Sequence, residues 1–186
     1  MPVKSSTRYA VLSLLTIKPM SAYELVRFSK DRIGFFWNES YGNIHRMLKK
    51  LADEGMIYLL ADTKSGRRKK TYTITEKGRQ QLKIWLCKPP DEDILRDELL
   101  LKIFMAEEGD LPEIRSFIQR EQVELEQVLI ALYEVQQGVE ALDQDPTRKV
   151  FWLLTLDYGK RYARTRQLWC QEAIKKLEQI ERNKKL

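Results

Sequence analysis

Apolar positions in the first half of the chain recur at helical spacing in short, well-punctuated blocks. Tyr9, Val11, Leu12, Leu14 and Leu15 predict a first helix, capped by Thr7 and ended at Lys18-Pro19 because proline restricts the residue before it. Ser21-Ala-Tyr-Glu24 reads as a capping box opening a second helix, in which the Ser oxygen accepts from the N3 amide and Glu24 reaches back to the Ser21 amide. Leu25 and Phe28 continue its buried side. A third helix carries Tyr41, Ile44, Leu48 and Leu51 in steps of three, four and three residues, which hold one face. Gly55 suits the position just past its end, where positive φ carries no Cβ penalty. Two β-prone runs, Met56–Thr63 and Thr71–Thr75, flank a Ser-Gly turn and predict a hairpin. A fourth helix runs from Thr75 through Leu82 and Trp85 and stops before Pro89-Pro90.

The second half has a longer rhythm. Asp97–Met105 reads as a helix, and Leu111 opens a long one with apolar residues at 111, 114, 118, 125, 128, 132, 135, 139 and 142, interrupted by Glu121. Asp143-Gln-Asp-Pro146 breaks it, and a last helix runs from about Thr147 to beyond Ile180 with Leu154, Tyr158, Tyr162 and Trp169 as buried candidates. The heptad-like seam serves either a helix hairpin within one chain or pairing between two. Lys88–Asp93 is the expected linker, which divides the chain into residues 1–87 and 88–186. The expected class is mainly α with a small β-hairpin wing: an N-terminal winged helix-turn-helix followed by an α-helical dimerisation domain.

Charge sharpens this division. Residues 1–87 hold 17 Lys+Arg against 7 Asp+Glu, whereas residues 88–186 hold 16 against 20. A basic module joined to a mildly acidic one is expected where only one of them meets a polyanion. The 186 residues and 43% hydrophobic content suffice for packed cores. Cys87 and Cys170 have no CxxC or Cys/His spacing, so neither a zinc site nor a disulfide framework is suggested, and a cytoplasmic location fits. The N-terminus lacks a long apolar region and Val150–Leu154 is too short to span a bilayer, so no membrane partner is expected.

The candidate chemistry lies opposite the apolar stripe of the third helix. Ser40, Tyr41, Gly42, Asn43, His45, Arg46, Lys49 and Lys50 form a face suited to a DNA groove, and Lys64, Arg67, Arg68, Lys69 and Lys70 form a basic hairpin tip suited to a phosphate backbone. Arg and Asn can make bidentate contacts to guanine and adenine edges, so Arg46 and Asn43, with Ser40 and Tyr41, are the expected groove contacts. The basic side chains are expected to hold phosphates. A monomeric winged helix reaches one short half-site, and this favours pairing of two chains through the C-terminal helices. His45 is the sole histidine and has no nucleophile or carboxylate set around it, so no catalytic residue, metal ligand or cofactor is expected. The acidic groups at Asp91–Asp93 and Glu107–Asp110 lack calcium-loop spacing. Phe35, Phe36, Trp37, Tyr158, Tyr162 and Trp169 are candidates for binding a small aromatic effector where the two modules meet. A winged-helix adaptor that recognises protein without specific DNA binding is the alternative.

Four stretches carry a family resemblance: Leu14–Leu25, Phe36–Ile44, Leu48–Gly55 and Lys70–Gly78. With them the chain resembles PadR-family transcriptional regulators, including the longer members with a helical C-terminal domain, which the Leu156-Asp-Tyr-Gly159 stretch and Trp169 also suggest. The resemblance implies a homodimeric winged-helix repressor, more rarely an activator, that binds a palindromic operator and is often released by a small effector such as a phenolic acid or a drug. It implies a recognition helix at Ser40–Glu54 and a wing at Lys64–Lys70. Ala22 and His45 depart from the family's frequent Gly and Tyr.

Overall fold

A computed structural model describes residues 6–37, 39–60, 70–91 and 96–183. They fall into two compact units, Met1–Glu92 and Asp93–Leu186. In the first, helices α1 (Ser6–Leu15), α2 (Ala22–Ile33) and α3 (Tyr41–Asp53) surround one core built on Val11, Leu12, Leu15, Leu25, Ile44, Leu48 and Leu51. Strands β1 (Met20–Ser21), β2 (Ile57–Leu60) and β3 (Thr71–Ile74) form an antiparallel sheet in the order β1-β3-β2, and α4 (Glu76–Leu86) follows. Ile57 pairs with Ile74 and Leu60 with Thr71, which places both isoleucines on the core face. This is a helix-turn-helix with a hairpin behind it. The β1 pairing of Met20 with Tyr72 was not foreseen, since two residues carry no period-two signal.

Local chemistry sets the element boundaries. The Ser21 hydroxyl accepts from the Glu24 amide at 3.3 Å, and the Glu24 carboxylate accepts from the Ser21 amide at 2.9 Å, which completes the capping box. Gly55 follows α3 at φ 68°, where an L side chain would be strained. Thr75 caps α4: its hydroxyl accepts from the Gly78 amide at 3.1 Å and lies 2.9 Å from the Gly55 carbonyl oxygen. A Cβ at Gly78 would stand 2.3 Å from the Met56 carbonyl oxygen, so glycine is what lets α4 close against the backbone just before β2.

Three expectations are corrected in this unit and the next. Thr7 is a buried residue inside α1 and donates its hydroxyl to Glu39, so it does not cap the helix. Tyr41 is exposed and its ring stacks beside His45, because at the first turn of α3 the core no longer reaches it. In α7 (Pro146–Asn183), Leu154, Tyr158 and Tyr162 are exposed and Trp169 is half-buried, while Leu156, Gly159, Ala163 and Cys170 are buried. Both stripes have helical period, and the one that carries the small Gly159 and Ala163 is the one that is buried.

That neighbour is α6 (Leu111–Glu140), preceded by α5 (Glu98–Met105) and a short 3-10 turn (Glu108–Asp110). Ile118, Leu125, Leu132 and Val139 are buried at seven-residue spacing, whereas Val128 is exposed. Glu121 interrupts the seam for a reason visible in the side chains. Its carboxylate accepts from Arg166 of α7, whose other branch donates to Asp97 at 2.5 Å, and Asp97 also caps α5 by accepting from the Leu100 amide at 3.0 Å. One guanidinium thus joins α5, α6 and α7. Burial opposes the charge on Arg166, but hydrogen bonds to Asp97 and Glu121 outweigh it and hold its pKa above the ordinary value. The Arg166 hydrogen bond holds the Asp97 carboxyl below its usual range, and burial pushes the Cys170 thiol up.

Candidate nucleic-acid interface

Helix α3 presents a polar surface because its apolar residues are spent on the core. Ile44, Leu48 and Leu51 are buried, which turns His45, Arg46, Lys49 and Lys50 outward. Ser40, Tyr41 and Gly42 are exposed at the N-terminal end, and Asn43 is half-buried. The Ser40 hydroxyl accepts from the Asn43 amide at 3.2 Å and so closes the first turn. A Cβ at Gly42 would meet no atom of the described residues within 4 Å, so packing among them does not require this glycine. At the other end Arg8 pairs with Glu54, and Lys77 Nζ donates to the Glu54 carbonyl at 2.8 Å, placing cations at the negative end of the helix. The helix is therefore fixed at both ends.

Sequence reasoning missed Glu39. Its carboxylate accepts from the Thr7 hydroxyl and, at 3.1 Å, from Asn43 Nδ2, while Asn43 Oδ1 accepts from the Arg46 guanidinium. The four-residue spacing from Glu39 to Asn43 was a signal, but Glu39 stands before the cap, outside the helix where such spacing is read.

Strand β3 begins at Thr71, and Lys70 before it is exposed. Lys64, Arg67, Arg68 and Lys69, the rest of the predicted wing, lie outside the described residues.

The effector candidates are distributed over both units. Phe35 packs edge-on to Phe36 with centroids 4.7 Å apart, Phe36 is exposed, and Trp37 has a shielded Nε1 with no hydrogen-bond partner among the described residues. Tyr158 and Tyr162 are exposed on α7, and Trp169 packs on the core of the second unit. A cavity of about 370 Å³ in that unit is lined by Ile103, Leu111, Ile114, Leu177 and Ile180 with Glu107 and Glu108, and it includes none of the six candidates. Among the described residues no three His, Cys, Asp or Glu side chains converge as a metal site.

Residues 11–84 match the model of the transcriptional regulator PadR-like family, and residues 95–178 match the virulence activator alpha C-terminal model. Residues 11–84 are thus a PadR-like domain. A curated relative, the negative transcriptional regulator PadR of Bacillus subtilis, is 35% identical over 99 residues, which is 52% of this chain and 54% of that one. The chain spans about half the length of the curated relatives it matches. A crystal structure of a PadR-like transcriptional regulator from Bacillus cereus has the same fold, with TM-score 0.78 at 24% identity over 92% of this chain and 98% of the other. Bacillus subtilis PadR in complex with operator DNA gives TM-score 0.75 at 26% identity, covering 91% and 98%. The same regulator in complex with p-coumaric acid gives TM-score 0.70 at 25% identity, covering 92% and 98%. Among the described residues, no helix is long and apolar enough to cross a membrane.

Proposed function

We propose that this PadR-like chain is a homodimeric, sequence-specific repressor that binds a palindromic operator and is released by a small aromatic molecule. The observation that carries the reading is the outward face of α3, where Arg46, Lys49 and Lys50 stand exposed on a helix fixed at both ends. In the proposed complex α3 enters the major groove, Arg46 reads a base edge, and Lys49, Lys50 and Lys70 hold phosphates on either side. The wing residues Lys64, Arg67, Arg68 and Lys69 extend the phosphate contacts. The complex of Bacillus subtilis PadR with operator DNA supports this reading by likeness.

Dimerisation through the second unit is supported by its uncovered apolar surface. Phe104 is 84% exposed, Met105 69% and Leu101 62% on α5, and Phe151 and Leu154 are exposed on α7. Three large apolar side chains this exposed on one eight-residue helix are uncommon on a monomer. A second copy that covers these residues sets the spacing of two recognition helices, and an effector acts by favouring a dimer whose spacing no longer fits the operator. The p-coumaric acid complex of the relative supports a phenolic acid as the effector class.

The test is binding of the purified protein to the duplex upstream of its own gene and to random duplex of equal length, at several salt concentrations. Tight, selective binding at physiological salt is expected. Weak, equal binding to this duplex and to duplexes selected from a random pool would contradict the reading.

A further inference from the structure

The polar side chains at the head of α3 form a chain rather than a set of independent contacts. Each oxygen of Glu39 has its own donor: the buried Thr7 hydroxyl on one and Asn43 Nδ2, at 3.1 Å, on the other. The carboxylate is thus held between α1 and α3. It can only accept, and the Arg46 guanidinium can only donate, so the two partners of Asn43 impose a single orientation on its amide, with Nδ2 toward Glu39 and Oδ1 toward Arg46. The backbone of Asn43 is fixed as well, by its amide on the Ser40 hydroxyl at 3.2 Å. An asparagine that reads adenine presents its amide nitrogen and oxygen together to the base. Here the nitrogen gives one N–H to Glu39 and the oxygen one lone pair to Arg46, so these two neighbours, rather than a base, set the plane and direction of the amide.

We infer that Asn43 and Glu39 are positioning residues that set the guanidinium of Arg46 for a base edge, and that Asn43 does not itself read a base. Arg46 uses one N–H on Asn43 and keeps the rest of its fork for the guanine O6 and N7 acceptors, a contact that depends on the plane and direction of the fork. Thr7 extends the support into the core, since it is buried and belongs to a different helix. The inference rests on the proposed reading of α3 as the recognition helix. It alters that reading at one place: the expected pair of base readers, Asn43 and Arg46, becomes a single reader with its support.

The two roles of Asn43 separate in base-pair preference. Wild type, Arg46→Ala, Asn43→Ala, Glu39→Gln and the Asn43→Ala/Arg46→Ala double variant would each be used to select duplexes from a randomised pool, with affinities then measured for the selected duplex and its single-base-pair variants. Arg46→Ala is expected to erase preference at one base pair. Asn43→Ala and Glu39→Gln should weaken discrimination at that same base pair by about three- to tenfold, and the double variant should lose no more than Arg46→Ala alone. If Asn43→Ala instead erodes a different base pair it reads that base itself, and if discrimination at the Arg46 position is unchanged the chain of contacts plays no part; either result overturns the proposal. A purely electrostatic role for Glu39 would make Glu39→Gln bind every duplex more tightly without changing preference. Should Glu39→Gln unfold on loss of the Thr7 contact, Asn43→Ala still decides, because it leaves that contact in place. Wild type that enriches no sequence would remove the DNA reading itself, a failure distinct from failure of the positioning role.

Discussion

At the scale of single residues, the exposed cations of α3 divide by what they can touch. Arg46 lies near the capped end beside Asn43, whereas Lys49 and Lys50 stand exposed farther along. A lysine is a point charge on a flexible stem, suited to a phosphate more than to a base edge. Lys49→Ala should therefore weaken binding to all duplexes alike and lower the slope of log affinity against log salt by about one, as measured by fluorescence anisotropy in a salt series. Loss confined to one sequence would contradict the phosphate role. Arg46→Ala should instead cost roughly 1–3 kcal/mol on the preferred duplex. The outward position of these cations was legible because the buried set Ile44, Leu48 and Leu51 fixes the opposite face. Tyr41 was misread as part of the stripe, since periodicity does not reveal where the core beneath a helix ends. The bond from Thr7 to Glu39 was invisible because it spans 32 positions.

At the scale of elements, some helix boundaries were readable, although the expected Thr7 cap was not one of them. The Ser21–Glu24 box, the start of the fourth helix at Thr75 and Gly55 are local chemistry, settled within a few residues, and they stand where the sequence puts them, with Thr75 as the cap of α4. Gly42 poses a sharper question, because none of the described residues occupies the space beside it. Gly42→Ala should stabilise the fold by roughly half a kcal/mol in urea unfolding yet weaken DNA binding, if the backbone approaches a phosphate there. Unchanged affinity would leave its small size without a role in the interface. The face of α7 was misread for a different reason: Leu154, Tyr158 and Tyr162 form a stripe as regular as the buried one, and small residues score low in a search for hydrophobic positions. The Asp97–Arg166–Glu121 linkage is equally non-local. Replacing Arg166 with Met should cost roughly 2–3 kcal/mol, below the usual penalty for breaking a buried pair because these side chains keep some solvent access. The folded pKa of Asp97 is depressed, so its stabilisation is complete above the ordinary carboxylate value and is lost as pH falls through the lowered one. Thermal melting across that acid range should show this decline in wild type and a smaller one in Arg166→Met.

At the scale of the whole molecule, the contrast between a basic first part and a mildly acidic second part was legible from residue counts alone, and it matches the division of labour proposed for the two units. What counts could not reveal is which apolar residues remain uncovered after folding, and these are the ones on which the proposed dimer rests. Phenolic acids titrated into the protein should change tryptophan fluorescence and lower affinity for the operator; an inert response across such a panel would contradict release by this class of effector. The central claim is that two copies of α3 read a symmetric site together. Selection of duplexes from a randomised pool by the wild-type protein tests it most directly. The account predicts enrichment of an inverted repeat whose half-site centres lie about ten base pairs apart, or a multiple of that spacing; enrichment of a lone, asymmetric half-site, or of no sequence at all, would contradict it.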